Sequence, residues 1–274
     1  MVNWIERAPE PIRLFLAWQA PDHMGDRFRW AVGVLERTAG NDCSLRYLQP
    51  GPDFEVHNQG RSFDEVRKLG YEGYPAFSLK RERHLAGVVS TLMRRLPPPS
   101  RPDFAEYKRQ FRLPPLLFVS NFGLLGRTEA KLPSDGFSLV DPLDGAVDHC
   151  DLMLEVAGYR HYAQNIAPLS VGDPVWLQAE PWNEVDQNAV VIRASGQTIG
   201  YVNRLQAAAF QQWLRERAIT SVVERLNGQP GRPRAFVFIR IRPARARANA
   251  SAAPSPAARW MPATDRRLLT PNMG

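Results

Sequence analysis

The sequence predicts an α+β protein that is mainly β. A small N-terminal antiparallel sheet with two helices precedes a partly open OB- or SH3-like β-barrel with one helix. Three observations carry this. Short apolar runs, separated by Gly, Pro, Asn and Asp, recur along the whole chain, as strands and turns require. Few segments repeat their apolar residues at helical spacing. The composition, 44% hydrophobic and 23% charged over 274 residues, is ordinary for a globular chain long enough to bury two cores.

In the N-terminal part, residues 12–18, 30–35 and 44–48 read as strands, with turn chemistry at Pro21-Asp22, Gly25-Asp26 and Gly40-Asn41-Asp42. Residues 51–60 read as a polar loop. Tyr71, Tyr74, Pro75 and Phe77 form an irregular aromatic corner. Leu85, Val88, Val89, Leu92 and Leu96 share one helical stripe, which predicts a helix over 84–96 that Pro97-Pro98-Pro99 stops. Asp103 is placed to cap a second helix over 104–111, with Phe104, Tyr107 and Phe111 on one face. Residues 116–125 are apolar and fit helix or strand alike. Residues 137–140 read as a strand.

The acidic segment 141–148 predicts a boundary. It leaves residues 1–148 as one domain, 149–243 as the barrel, and 244–274 as a disordered basic tail rich in Ala, Pro, Ser and Arg. Barrel strands fall at 152–159, 174–180, 189–193, 198–202, 219–226 and 234–242, with a tight turn at Ser195-Gly196. Asn203 is placed as the N-cap of a helix reaching about Arg217, with Ala207, Phe210, Trp213 and Leu214 on its apolar face. Period-2 alternation puts Phe236, Phe238, Arg240 and Arg242 on one face of the last strand.

Charge divides unevenly. The net charge is +7, and residues 1–150 hold 20 basic against 19 acidic residues. Residues 151–274 hold 15 Arg, no Lys and 9 acids. An Arg-only basic half suits bidentate contact with phosphate; it equally suits a genome that spells basic residues as Arg. No apolar run approaches a membrane span, and the first residues lack a signal-peptide apolar region. With only Cys43 and Cys150, no disulfide framework is expected, and the chain reads as cytoplasmic. There is no phosphate-loop motif, dinucleotide fingerprint, H-E-x-x-H, C-x-x-C or nucleophile elbow. Five scattered histidines argue against a metal site, and no Lys follows residue 150 to complete an acid–acid–Lys nuclease arrangement. The expectation is a protein that is not an enzyme and carries no cofactor and no metal.

The most informative stretch lies within 156–204. Val156-Ala157-Gly158-Tyr159-Arg160-His161-Tyr162 ends an apolar strand in an Arg-aromatic cluster. A guanidinium neutralises phosphate, while tyrosine or imidazole rings stack on bases. Glu180-Pro181-Trp182-Asn183-Glu184-Val185-Asp186-Gln187-Asn188-Ala189 then forms an Asn/Asp-rich turn. Such side chains either build local turns or bond to sugar hydroxyls. Ile199-Gly200-Tyr201-Val202-Asn203-Arg204 follows. Two bland alternatives stand beside the binding reading: Asn183 and Asp186 as turn builders only, and Tyr162 as core.

In order and spacing these three pieces resemble the HIRAN domain, over about residues 152–242. The resemblance implies a small β-rich module that binds single-stranded DNA, notably a free 3′ end. It implies Arg160, His161 and Tyr162 on phosphate and bases, Asn183, Asp186 and Asn188 shaping the pocket, and Asp186 at the terminal 3′ hydroxyl. Asn203 and Arg204 would meet the backbone at a helix N-terminus. His161 stands where a second aromatic ring is usual, and Val185 where Tyr is common. The implied function is a nucleic-acid-binding accessory protein in DNA repair, processing or defence against foreign DNA, with a separate ATPase, nuclease or other protein as partner. The N-terminal region resembles the small β-rich subdomain of HipA-type proteins, in the 15–18 strand, the 32–35 strand and the Leu96-Pro97 helix exit. That resemblance implies the alternative, a non-catalytic protein–protein interaction or regulatory module.

Overall fold

The computed structural model describes residues 2–38, 42–132, 134–144 and 149–244. The expected basic tail lies outside the described residues, apart from Ala244. The N-terminal strands are β1 (Arg13–Gln19), β2 (Arg29–Arg37), β3 (Cys43–Tyr47), β4 (Arg83–His84) and β5 (Phe137–Val140). They form one antiparallel sheet in the order β4-β3-β2-β1-β5. β1 and β2 are covered on both faces, so they read as unbroken apolar runs without period-2 alternation. Asn58 is fully buried and braces β2, exchanging 2.9 Å hydrogen bonds with both the N–H and the C=O of Ala31.

Helices α1 (Pro52–Glu55), α2 (Phe63–Lys68), α3 (Val88–Met93), α4 (Phe104–Gln110) and α5 (Asn121–Thr128) pack around this sheet. Three differ from expectation. The 51–60 loop contains α1. Helix α2 has no counterpart among the expected elements, although its start signal is a capping box: Ser62 Oγ accepts the Glu65 N–H at 3.3 Å, and the Glu65 carboxylate accepts the Ser62 N–H at 2.9 Å. Helix α3 starts at Val88, not at 84. His84 is pulled into pairing with Leu45, Gly87 adopts φ +69°, and Asp42 accepts the Gly87 and Val89 N–H groups at 2.8 and 3.0 Å. A long-range cap thus outweighs the apolar stripe, and Leu85 is left exposed. Only the second half of the ambiguous 116–125 segment is helical: residues 121–125 open α5, capped by Ser120, whose hydroxyl accepts the Gly123 N–H at 2.9 Å, and residues 116–120 are neither helix nor strand.

The second half holds β6 (Cys150–Glu155), α6 (Tyr159–Tyr162), β7 (Val175–Ala179), β8 (Val190–Ala194), β9 (Gln197–Tyr201), α7 (Ala207–Glu216), β10 (Arg217–Gln229) and β11 (Arg232–Pro243). Two three-stranded antiparallel sheets, β10-β11-β6 and β7-β8-β9, enclose one core. Bridges between Ala157 and Tyr201 and between Pro174 and Val222 link their corners into a partly open barrel. Val190, Ile192, Ile199, Phe210, Val223 and Val237 fill it. Tight turns at Ser195 (φ +47°) and Gly196 (φ +79°) join β8 to β9. The architecture is therefore α+β and mainly β, with an OB-like barrel.

The strand expected over 152–159 stops at Glu155, because Gly158 (φ +76°) turns the chain into α6. Nor is Asn203 the cap of α7, which begins at Ala207 behind Gln206. Asn203 instead accepts the Leu205 N–H on its side chain at 3.2 Å, forming a turn one step ahead of the helix.

The expected boundary near 148 falls between β5 and β6, yet Met1–Ala244 gathers as one compact unit. Asp151, fully buried on β6, accepts the Glu6 and Arg7 N–H groups at 2.9 and 3.0 Å and pairs with Arg242 at 2.7 Å. Arg127 donates to the carbonyls of Pro9 and Asp151 at 2.8 and 3.2 Å. Leu205 and Phe238 of the barrel belong to the N-terminal core.

Candidate nucleic-acid interface

A cavity of about 820 Å³ opens between the N-terminal sheet and the barrel. Its barrel wall is built from the three pieces singled out in the sequence. Gly158 starts α6 in the left-handed conformation, and this single helical turn presents Arg160, His161 and Tyr162 together. Gly200 brings β9 close. It sits at φ +144°, and a Cβ there would lie 2.4 Å from the Ala157 carbonyl and 2.6 Å from Val156. The close approach sets the Tyr201 ring 6.2 Å from that of Tyr162. The Tyr201 hydroxyl donates to Glu180 at 3.1 Å. Burial, with Tyr162 and Glu180 beside it, pushes the Tyr201 phenol well above its usual range, so it stays a donor.

The turn after β7 is tightly self-bonded. Asn183 donates to Glu180 at 2.7 Å and accepts the Val185 and Asp186 N–H groups at 3.0 Å each. Asp186 accepts the Asn188 N–H on one oxygen at 2.8 Å. Asn183 and Asp186 thus build the turn, and both also line the cavity. Of the eight residues read as a site, seven reach the cavity wall: Arg160, His161, Tyr162, Asn183, Asp186, Asn203 and Arg204. Asn188 does not; its side chain is exposed beyond the rim.

Arg204 is placed differently from a free phosphate ligand. Its Nη atoms donate to the carbonyls of Arg29 and His57 at 3.1 and 2.7 Å, and its guanidinium lies 4.1 Å from the centre of the Phe28 ring. Arg61 flanks the same ring at 4.6 Å. Burial lowers the Arg204 guanidinium to about 10, with Asp186 opposing that shift and Arg61 and Arg29 adding to it. The residue therefore locks the barrel to the N-terminal sheet at the floor of the cavity.

The opposite wall comes from the N-terminal half and carries no local signature in the sequence. It brings Arg27, Arg29, Arg61 and Lys131, while the β10–β11 hairpin adds Arg232 and Arg234. Eight cations line the cavity against five carboxylates. Most are already paired. Glu155 accepts from Nε and Nη2 of Arg234 at 2.7 Å each and from Lys131 at 2.9 Å, and Glu129 takes Lys131 at 2.7 Å and Arg29 at 3.1 Å. Burial alone would raise the Glu155 carboxyl, but Lys131 and Arg234 outweigh it and hold the group far below its usual range. This wall joins residues 22–29, 61 and 129–131, and only the sheet order brings them together.

Among the described residues no group of three or more His, Cys, Asp or Glu side chains could hold a metal ion. No helix there is long and apolar enough to cross a membrane.

The barrel wall, its turn and its Gly-Tyr strand lie inside one recognisable region. Residues 151–242 match the HIRAN domain. HIRAN domains bind nucleic acid, so the match supports a DNA-binding role for this third of the chain. Two solved structures are similar over the same share. One is the crystal structure of the HIRAN domain of human HLTF, 22% identical, covering 33% of this chain and 74% of that one with a TM-score of 0.28. The other is the crystal structure of a protein from Lactobacillus plantarum, 21% identical, covering 34% and 98% with a TM-score of 0.26. No curated protein matches the chain.

Proposed function

We propose that this chain is a non-catalytic protein that binds single-stranded DNA at a free 3′ end. It would serve a separate ATPase or nuclease in DNA repair, processing or defence against foreign DNA. One observation carries the reading: the Arg-aromatic cluster, the Asn/Asp turn and the Gly-Tyr strand converge on a single cavity with an excess of cations. In this reading Arg160 meets a backbone phosphate, Tyr162 and Tyr201 receive bases, and His161 is a second, weaker stacking surface. Asp186 has one carboxylate oxygen committed to Asn188 and, among the described residues, no hydrogen bond to the other, with the Arg204 guanidinium close enough to attract it. That second oxygen is free to accept a terminal 3′ hydroxyl.

Anisotropy titrations of an oligonucleotide ending in a 3′ hydroxyl or a 3′ phosphate test this. The free end should bind more tightly by about 1–3 kcal/mol, since a phosphate sets like charge beside Asp186. Asp186→Asn is the informative change, because an amide oxygen can still accept the Asn188 N–H and keep the turn. It should abolish the preference without lowering the melting temperature. Equal binding of both ends by the unmodified protein refutes end recognition. Absence of binding at about 50 mM salt, or an affinity that ignores salt, refutes the electrostatic single-strand reading itself.

A second reading, a protein-contact or regulatory module with a HipA-like N-terminal region, is favoured by Leu116 and Phe118. They stand 99% and 87% exposed on the segment before α5. Leu116→Asp with Phe118→Asp should leave oligonucleotide binding unchanged; a fall in oligonucleotide affinity would tie the segment to the DNA site.

A further inference from the structure

The loop before β2 and the tip of the β10–β11 hairpin meet over the cavity mouth. Asp22 opens a short 3-10 turn that ends at Gly25 in the left-handed conformation, and Asp26 accepts the Phe28 N–H at 2.6 Å. This fixed loop carries Arg27 and leads into Arg29 at the start of β2. Across it, Arg232 starts β11 and Arg160 sits on α6. All four guanidiniums line the same cavity. The carboxylates near them are few. Asp22 pairs with both Arg27 and Arg232, and Arg29 is taken by Glu129. Arg160 makes no ion pair among the described residues; its Nε donates to the His161 ring at 3.3 Å.

One carboxylate therefore serves two arginines, with a third cation beside them. The crowding shows in the chemistry of Arg27. Burial, then repulsion from Arg160, Arg232 and Arg29, lowers its guanidinium below the ordinary value. Like charges held together by a folded scaffold cost free energy that an incoming anion recovers. Guanidinium forks suit a phosphate, since each offers paired N–H donors to two oxygens. Arg27, Arg160 and Arg232 come from three different elements, two of them in the barrel and one on the N-terminal loop.

We propose that Arg27, Arg160 and Arg232 form a phosphate subsite shared between the N-terminal loop and the barrel, and that Asp22 occupies it as a counter-charge in the free protein. This rests on the single-strand reading for its source of phosphate: the backbone phosphate that Arg160 meets, held beside the nucleotide that Asp186 and Tyr162 meet. The N-terminal half is then part of the binding site and not only a platform for the barrel.

Two probes separate the subsite from the reading it rests on: inorganic tripolyphosphate, and a thymidine oligonucleotide of about ten residues, a length within the usual span of one OB-like fold. The full chain is compared with Arg27→Ala/Arg232→Ala, with Asp22→Asn, and with the charge-matched control Arg109→Ala/Arg215→Ala, which changes exposed residues outside the cavity. The first variant should weaken both probes about tenfold or more at low salt. It should also flatten the log–log salt slope for the oligonucleotide by roughly 0.7 for each phosphate it no longer neutralises. The control should change either probe less than twofold. Asp22→Asn should act in the opposite direction and tighten both probes several-fold, a gain that a merely structural Asp22 would not produce. Tripolyphosphate binding that follows this pattern without oligonucleotide binding upholds the subsite and refutes the nucleic-acid source. Equal losses in the control and the arginine variant, or unchanged binding by the arginine variant, overturn the proposal. So does failure of the unmodified chain to bind either probe.

Discussion

The two walls of the cavity are built on different terms. The barrel wall comes from three short segments within 156–204, each shaped by its own turn: Gly158 before α6, the Asn183–Asp186 bonds, and Gly200 against Ala157. The N-terminal wall draws on residues 22–29, 61 and 129–131, tied across the fold by ion pairs such as Lys131–Glu155 and by Arg204. The first wall is local and self-supporting. The second exists only while the N-terminal sheet and the barrel remain docked. The difference teaches that a binding motif can be complete in sequence while its binding site is not.

Breaking the dock should have the largest effect. Arg204→Ala leaves the Arg29 and His57 carbonyls unsatisfied and uncovers the Phe28 ring, at a cost of roughly 3 kcal/mol. Urea unfolding should show the loss. If the two halves separate, one transition should become two. A shift below about 0.5 kcal/mol would mean that Asp151, Arg127 and the shared core suffice to hold the halves together.

Next comes the barrel wall alone. Tyr162→Ala should weaken any single strand by about 1–3 kcal/mol through lost stacking, whatever its end, with little change in melting temperature because Tyr162 is only half-buried. A large fall in stability with unchanged binding would return Tyr162 to a packing role.

Glu155→Gln probes the joint between the walls. Its carboxyl is held down by Lys131 and Arg234, so the ionised form contributes stability above the ordinary value near 4.5. That contribution is lost as pH falls through the lower folded value. At neutral pH the variant should be less stable by about 2 kcal/mol, and the gap should narrow as acid protonates the parent. Thermal melting at neutral pH and in acid checks both signs.

Asn188→Ala should be smallest, within about 0.5 kcal/mol for folding and binding, since its side chain is exposed outside the cavity and its backbone N–H keeps the bond to Asp186. A larger binding loss would place the strand across the turn and not into the cavity.

Much of this fold is legible in the chain itself. Strands β1, β2 and β3 and the β8–β9 hairpin follow from apolar runs and turn residues, because both signals are local. The capping box at Ser62 and Glu65 is equally local, but the helix behind it is too short to show an apolar period. The displaced start of α3 is of another kind. A stripe at 85–96 is helical by spacing, but pairing of His84 with Leu45 and the reach of Asp42 to Gly87 decide where the helix begins. Asn203 illustrates the same limit, since its side chain serves a turn that precedes the true N-cap.

For the site, the sequence by itself determined the chemistry of one wall: which residues offer charge, rings and turn carboxylates, and the turns that present them. Tertiary structure alone decided that Arg204 would clamp the halves, that Asn188 would lie outside the cavity, and that Arg27, Arg29, Arg61 and Lys131 would face the motif. The physical reason is range. Backbone conformation and turn hydrogen bonds act over a few residues, and periodicity records them. Ion pairs and ring contacts between residues far apart in the chain, such as Arg29 with Glu129 and Arg204 with Phe28, depend on sheet order and docking, which leave no spacing in the sequence.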